Sequence, residues 1–402
     1  MTVYTIDDGP GPHVHALVIG VGAYQNCGRG VPRSAPKEAR SLLGELDTPL
    51  TCAPLSAAHV ADWLLTADWD KSDAKLGTVD VLLSSDSDAV WPTDPGLVVP
   101  RRAVYNNVRA AWRRWVDVCD TDDRNIALLY FCGHGWGGAQ TYLLVEDFAA
   151  VVDEWENHVI DFNQTRLDMR ACRALTQYFF LDTCSNEPYD LGRRKIRPHN
   201  LIVPDQHKTD LRMAHPDTWP NNPVLKPTPN RIESRVQPDE ITPFARALVK
   251  TFDGLGARER DDAWEIRSRY LVSQMSDVLD WYWPDLHASD YLDPWRGESN
   301  RDTLLRRCPG IPLVPFRLGC TPDSIRSSAH WELRCHRTGE RHRYGPDRWE
   351  AETLASAYDI KVDCRDGIHR EEIRTGIPIE PAGRSVTIRV ERLASESEGQ
   401  VS

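Results

Sequence analysis

Residues 126–138 read IALLYFCGHGWGG. An apolar run fit for the inside of a sheet gives way at once to Gly-His-Gly, so a histidine stands between two glycines where a buried strand runs out. A continuous apolar run of this length marks a strand covered on both faces, as in parallel sheets. Three more such runs occur: HALVIGVG (15–22), TVDVLLSS (78–85) and YFFLD (178–182). Helical patterns lie between them. SAPKEARSLLGEL (34–46) has Ser34 as N-cap, with Pro36 and Glu38 early, and AAHVADWLLTADW (57–69) follows. In RRAVYNNVRAAWRRWVDVC (101–119), Val104, Val108, Ala111, Trp112, Trp115 and Cys119 share one face, and MRACRALTQ (169–177) reads as a short helix. Strands alternating with helices predict an α/β fold: a mostly parallel central sheet with helices on both faces, a three-layer sandwich.

Beyond residue 185 the pattern loosens. Residues 185–240 hold nine prolines and few periodic apolar positions, which predicts a long surface connection, with Arg193, Arg194, Lys195 and Arg197 clustered inside it. A helix is expected at TPFARALVKTF (242–252), with Thr242 as cap and Pro243 at its first position, and another at 264–283. Residues 286–310 read as a linker. Residues 311–393 alternate polar and apolar positions between turn residues, the pattern of a C-terminal β-sandwich-like module. The first domain then spans 13–285.

Composition narrows the function. The chain has 402 residues, 41% hydrophobic and 27% charged, enough for sizeable cores and two or three domains. A net charge of −12 argues against a general nucleic-acid or anionic-membrane binder. No run approaches the ~20 apolar residues of a membrane span, and the start MTVYTIDDGPGP lacks the basic opening of a signal peptide. A cytoplasmic location is expected. Ten cysteines are too sparse for a disulfide scaffold, no zinc-ligand spacing is present, and no cofactor is expected.

In open parallel sheets, ligands bind just beyond the carboxyl ends of the strands. His134 is expected three residues past one such end and Cys184 two past another. A thiol is a poor nucleophile until it loses its proton, and an imidazole beside it takes or stabilises that proton. Gly133 and Gly135 are expected to allow a sharp turn and a close approach of substrate to backbone. The amides of Gly135 and Cys184 are candidates for an oxyanion hole.

With ALVIGVGAY at the first strand, LLYFCGHG around His134 and YFFLDTCSN around Cys184, the chain resembles the caspase-like cysteine proteases: caspases, metacaspases and paracaspases. The resemblance covers roughly residues 13–285. His134 and Cys184 are 50 residues apart, the spacing of ~50 seen in caspases. TPFARALV is similar to the helix that follows the catalytic cysteine in metacaspase-like and bacterial members. The resemblance implies a cysteine endopeptidase with a Cys184–His134 dyad and a polypeptide substrate. Asp-Thr-Cys departs from the caspase Gln-Ala-Cys and matches the metacaspase Asp-Ser-Cys, which implies a pocket for Arg or Lys at P1 lined by Asp182. Glu38 stands where that family has an aspartate and is the second candidate. The resemblance also implies an effector switched on by an upstream sensor, with the C-terminal module as a regulatory or partner-binding surface; the basic cluster at 193–197, on a proline-rich connection after the cysteine, is then a self-processing site for a protease that cuts after basic residues.

Plainer readings stand beside these. Asp182 could cap a loop, Glu38 could serve only a helix dipole, the basic cluster could be a solvated loop, and Cys132 is read as core packing. A catalytically silent caspase-like scaffold acting through its β module is the alternative to an enzyme. An esterase is disfavoured because the chain has no Gly-x-Ser-x-Gly elbow, and a phosphate-binding loop because its glycine spacing is missing.

Overall fold

The computed structural model describes residues 3–7, 9–27, 50–85, 99–137, 141–150, 158–185, 220–227, 239–286, 292–295 and 302–393. The helix expected at 34–46, Glu38 within it, and the basic cluster at 193–197 lie outside the described residues.

In chain order the first elements are β1 (Val3–Thr5), β2 (His13–Val21), α1 (Cys52–Thr66), β3 (Lys75–Ser84), α2 (Tyr105–Cys119), β4 (Ile126–Gly137), β5 (Thr141–Leu144), β6 (Val159–Asp161), α3 (Phe162–Asp168), β7 (Thr176–Ser185) and β8 (Val224–Pro227). There follow α4 (Pro243–Lys250), β9 (Arg258–Arg260), β10 (Ala263–Arg267), α5 (Leu271–Tyr282), β11 (Leu292–Trp295) and β12 (Leu304–Arg307). The fold is mixed α/β with several sheets. The largest runs β1-β3-β2-β4-β7-β8-β11, with β5 and β6 added at the end of β4. The five strands from β3 to β8 pair in parallel, and β1 and β11 close the two edges antiparallel.

Strand alternation divides the apolar runs between two cores. Val14, Ala16 and Val18 of β2, Leu128 and Tyr130 of β4, and Tyr178 and Phe180 of β7 face α1, α4 and α5. Leu17, Ile19, Leu129, Phe131, Phe179 and Leu181 face α2 and α3. The face of α2 reads as its spacing predicts, with Val108, Ala111, Trp112, Trp115 and Cys119 buried. Trp112 and Trp115 meet edge to face at 5.2 Å, an arrangement worth ~0.5–1.5 kcal/mol beyond the area they bury. On the opposite face α1 comes so close to β2 that a Cβ on Gly20 would lie 2.7 Å from Ala57 Cβ and 2.9 Å from the Ala53 carbonyl oxygen.

Several expected boundaries move, each for a local reason. Strand β4 does not stop at 131 but continues through Gly137, because β7 and β5 supply partners on its edges up to that point. Likewise β7 runs to Ser185 rather than to 182, so Cys184 lies within the strand. The helix expected at 169–177 is instead α3 at 162–168, capped by Asp161, whose carboxylate accepts the Gln164 N–H at 3.0 Å, followed by one 3-10 turn at Met169–Ala171. The helix expected at 57–69 begins earlier, at Cys52. The first residues of the helix expected at 264–283 form β10 instead. Asp261 and Asp262 both take positive φ (48° and 63°), the two-residue hairpin geometry that pairs β9 with β10 before α5 begins at 271. Within the expected surface connection, residues 221–225 are buried and β8 joins the main sheet.

The stretch read as a linker carries two strands, β11 on the main sheet and β12 on β10. Arg306 of β12 is only 2% exposed and donates to the Phe252 and Asp68 carbonyls at 2.6 and 3.1 Å, beside the Trp63 and Trp69 rings. The C-terminal strands are β13 (Leu313–Thr321), β14 (His330–Cys335), β15 (Arg341–Tyr344), β16 (Glu350–Leu354), β17 (Ser356–Asp363), β18 (Glu372–Ile379) and β19 (Arg384–Arg389). They form two sheets, β16-β13-β19 and β15-β14-β17-β18. Phe316, Trp331, Leu333, Tyr358 and Ile360 fill the space there, and their cluster continues into α5 without a break. Gly383 lies where a Cβ would strike the Trp281 ring at 2.7 Å. No helix among the described residues is long and apolar enough to cross a membrane.

Candidate active site

The strand order sets where a ligand belongs. From β2 the chain passes to β3 on one side, then crosses to β4 on the other, with α1 on one face of the sheet and α2 on the opposite face. The winding therefore reverses between β2 and β4. In sheets of this kind the crevice beyond the carboxyl ends of the strands at that reversal is the usual ligand site. Tyr24, three residues past the end of β2, and His134, near the end of β4, meet at this reversal.

On the other side of β4, the parallel register sets His134 opposite Cys184 and Gly135 opposite Ser185. Adjacent strands lie ~4.8 Å apart, so the α-carbons of the expected dyad are neighbours. The glycines act differently from the expectation. Gly133 and Gly135 lie within a strand, not in a sharp turn; Gly135 pairs with Leu143 of β5 as well as with Ser185. The role of Gly133 is steric, since a Cβ there would come within 2.9 Å of Tyr24 Oη and 3.2 Å of the Phe131 ring. That hydroxyl accepts the His134 N–H at 2.7 Å, and the two rings pack with centroids 4.8 Å apart.

Two residues below Cys184, Asp182 is buried at 7% exposure. Its Oδ2 accepts the hydroxyls of Tyr130, at 2.7 Å, and of Thr242. Burial pushes its carboxyl up to about 6, and the hydrogen bonds from Thr242, Tyr130 and the Cys132 thiol oppose that rise. Cys132 is core, as expected, but it also belongs to this polar cluster; burial and the nearby Asp182 push its thiol well above the ordinary range. Thr242 also caps α4 as its sequence predicts, its Oγ1 accepting the Ala245 N–H at 3.1 Å, and its own N–H goes to Ser56 of α1 at 2.9 Å. Thr242→Ala removes a cap and a donor to a buried carboxylate together, so urea unfolding should show a loss of about 2 kcal/mol that Thr242→Ser largely avoids.

The segments around this reversal are held by a residue that carries little signal in the sequence. Glu146, 1% exposed just after β5, accepts Ser84 Oγ at 2.6 Å and Gln25 Nε2 at 2.7 Å, and pairs with Arg102 at 2.7 Å. Asn26 donates to the Phe148 carbonyl at 3.1 Å. These contacts tie the loop after β2 to the ends of β3 and β5. Tyr130 and Glu146 sit inside apolar runs, YF and LLVEDF, where a polar group that must find a buried partner is the only signal. The described residues hold no group of three or more His, Cys, Asp or Glu side chains suited to a metal.

No protein-family model matches the chain. It is similar to "Uncharacterized protein y4kE" of Sinorhizobium fredii, at 26% identity over 294 residues that cover 67% of this chain and 81% of that protein.

Proposed function

We propose that the chain is a cysteine endopeptidase with a caspase-like fold, cleaving after Arg or Lys. The observation that carries this reading is the register of β4 and β7, in which His134 and Cys184 stand opposite each other at the carboxyl ends of two central parallel strands, next to the winding reversal. His134 takes the Cys184 proton, and the thiolate attacks the scissile carbonyl carbon. The oxyanion is met by the amides of Gly135 and Cys184, which exchange their place in the last β4–β7 pairs for the substrate carbonyl. His134 then protonates the leaving amine, and water releases the acyl product. Asp182, with Glu38, attracts the cationic P1 side chain, as an acidic pocket favours a cation over an anion. The C-terminal β module serves as a docking surface for a regulator or sensor, and the protein works in the cytoplasm without a nucleic-acid or membrane partner.

The test is covalent capture. An arginyl chloromethyl ketone should alkylate the folded protein at one site, mapped by peptide mass spectrometry to Cys184, and an Arg-P1 fluorogenic peptide should compete. Labelling that ignores the competitor, or that maps to another cysteine, would mark the chain as a scaffold.

A further inference from the structure

We infer that Tyr24 is the positioning residue for His134, its phenol fixing both the peptide and the imidazole of the general base at the winding reversal. The catalytic consequence rests on the peptidase reading; the positioning itself does not.

The last residue of β4 paired with β2 is Cys132, opposite Gly20, so at His134 that edge of β4 has lost its neighbouring strand. A strand amide left there needs another acceptor, and Tyr24 Oη supplies it at 2.7 Å. The same side chain packs its ring on the imidazole, centroid to centroid 4.8 Å at a 44° tilt. One residue therefore restrains His134 at two points, the peptide plane and the ring. The first glycine of Gly-His-Gly makes this possible, because a Cβ at 133 would occupy the space of the hydroxyl. Tyr24 is anchored in turn. Its carbonyl accepts the Cys27 N–H at 3.2 Å, and its neighbours Gln25 and Asn26 are bound to Glu146 and the Phe148 carbonyl. The loop after β2 thus acts as a rigid arm whose tip is the phenol. A general base must be held within a fraction of an ångström of its working position, and small displacements cost large factors in rate.

Tyr24→Phe keeps the ring and removes the acceptor. On an Arg-P1 peptide it should lower kcat by roughly 10-fold to 100-fold with KM unchanged, and displace the pH at which kcat/KM rises. A second readout needs no substrate: the nitrogen and carbon-bound proton resonances of the His134 imidazole, assigned by comparison with His134→Ala, should shift and titrate at a different pH in Tyr24→Phe. Gly133→Ala should also slow the wild type, but cost less on the Tyr24→Phe background, where the nearest atom it presses on is gone and only Phe131 and Val21, at 3.2 Å, remain. Unmoved His134 resonances, or Gly133→Ala losses that simply add to those of Tyr24→Phe, would overturn the inference. If the wild type cleaves no peptide while the His134 resonances still respond to Tyr24→Phe, the peptidase reading fails and the positioning stands. If the wild type cleaves and those resonances are unmoved, the reverse holds.

Discussion

Cys184→Ala is expected to abolish cleavage of Arg- and Lys-containing peptides, a fall of roughly 10⁴-fold or more, as when other hydrolases lose their nucleophile. His134→Ala should fall comparably, and the double variant should be hardly worse than either, because the two groups act as one unit. The local chemistry also predicts that no other thiol takes over. Cys27, Cys52 and Cys132 all lie close enough to Tyr24 to act on its phenol, so three alternative sulfurs lie near it. All three are buried, and burial pushes Cys27 and Cys52 up to about 12 and Cys132 well beyond the ordinary range. A thiol held that far above neutral pH supplies almost no thiolate. Steady-state assays of the purified variants, with circular dichroism to show that the fold persists, decide the matter. Turnover unchanged in Cys184→Ala would remove the dyad and the peptidase reading with it.

How far the site was legible depends on which interactions are local. The four apolar runs and the face of α2 were readable because burial on both sides of a sheet, or along one stripe of a helix, leaves a periodic trace in neighbouring residues. Thr242 and Pro243 were readable for the same reason, since a cap and the helix it opens are adjacent in sequence. Strand ends were not. Whether β4 stops at 131 or runs to 137 is decided by β5 and β7, which begin later in the chain and give Gly133–Gly137 an edge to pair with. For the same reason the glycines flanking His134 form strand where their type alone predicts a turn. Glycine signals a turn when only the local chain is considered, whereas Gly133 answers to Tyr24, 109 residues earlier. Long-range polar pairs are hidden in the same way: Tyr130 with Asp182, Asp182 with Thr242, and Glu146 with Ser84 and Gln25 become visible only when the strands are side by side.

Asp182 carries the second large effect, because on the proposed reading its burial ties stability and specificity to one proton. With its carboxyl pushed up to about 6, the folded protein holds that proton more tightly than the unfolded chain, where a carboxyl titrates near ~3.9. The stabilisation is therefore complete below about pH 4 and is lost as pH rises through about 6, a change on the order of 3 kcal/mol. Asp168, also buried and also raised to about 6, adds a slope of the same sign, so Asp182→Asn should reduce the dependence seen in urea unfolding between pH 4 and 7 without abolishing it. The catalytic expectation has the opposite sign. A cationic P1 side chain needs the ionised carboxylate, so kcat/KM for an Arg-P1 peptide should climb as pH passes through about 6, and a norleucine-P1 peptide should lack that component. Removing one partner of a buried charge pair costs about 2 kcal/mol or more. Asp182→Asn should accordingly cut Arg-P1 cleavage roughly 30-fold or more and leave norleucine-P1 cleavage within a few-fold of wild type. The hydroxyls of Tyr130 and Thr242 already occupy Oδ2, so an arriving guanidinium has to share or displace them, and this competition is what the two peptides separate. Equal losses on both would mean that Asp182 only braces the strand beneath Cys184, and the preference for a basic residue would then have to come from elsewhere in the crevice.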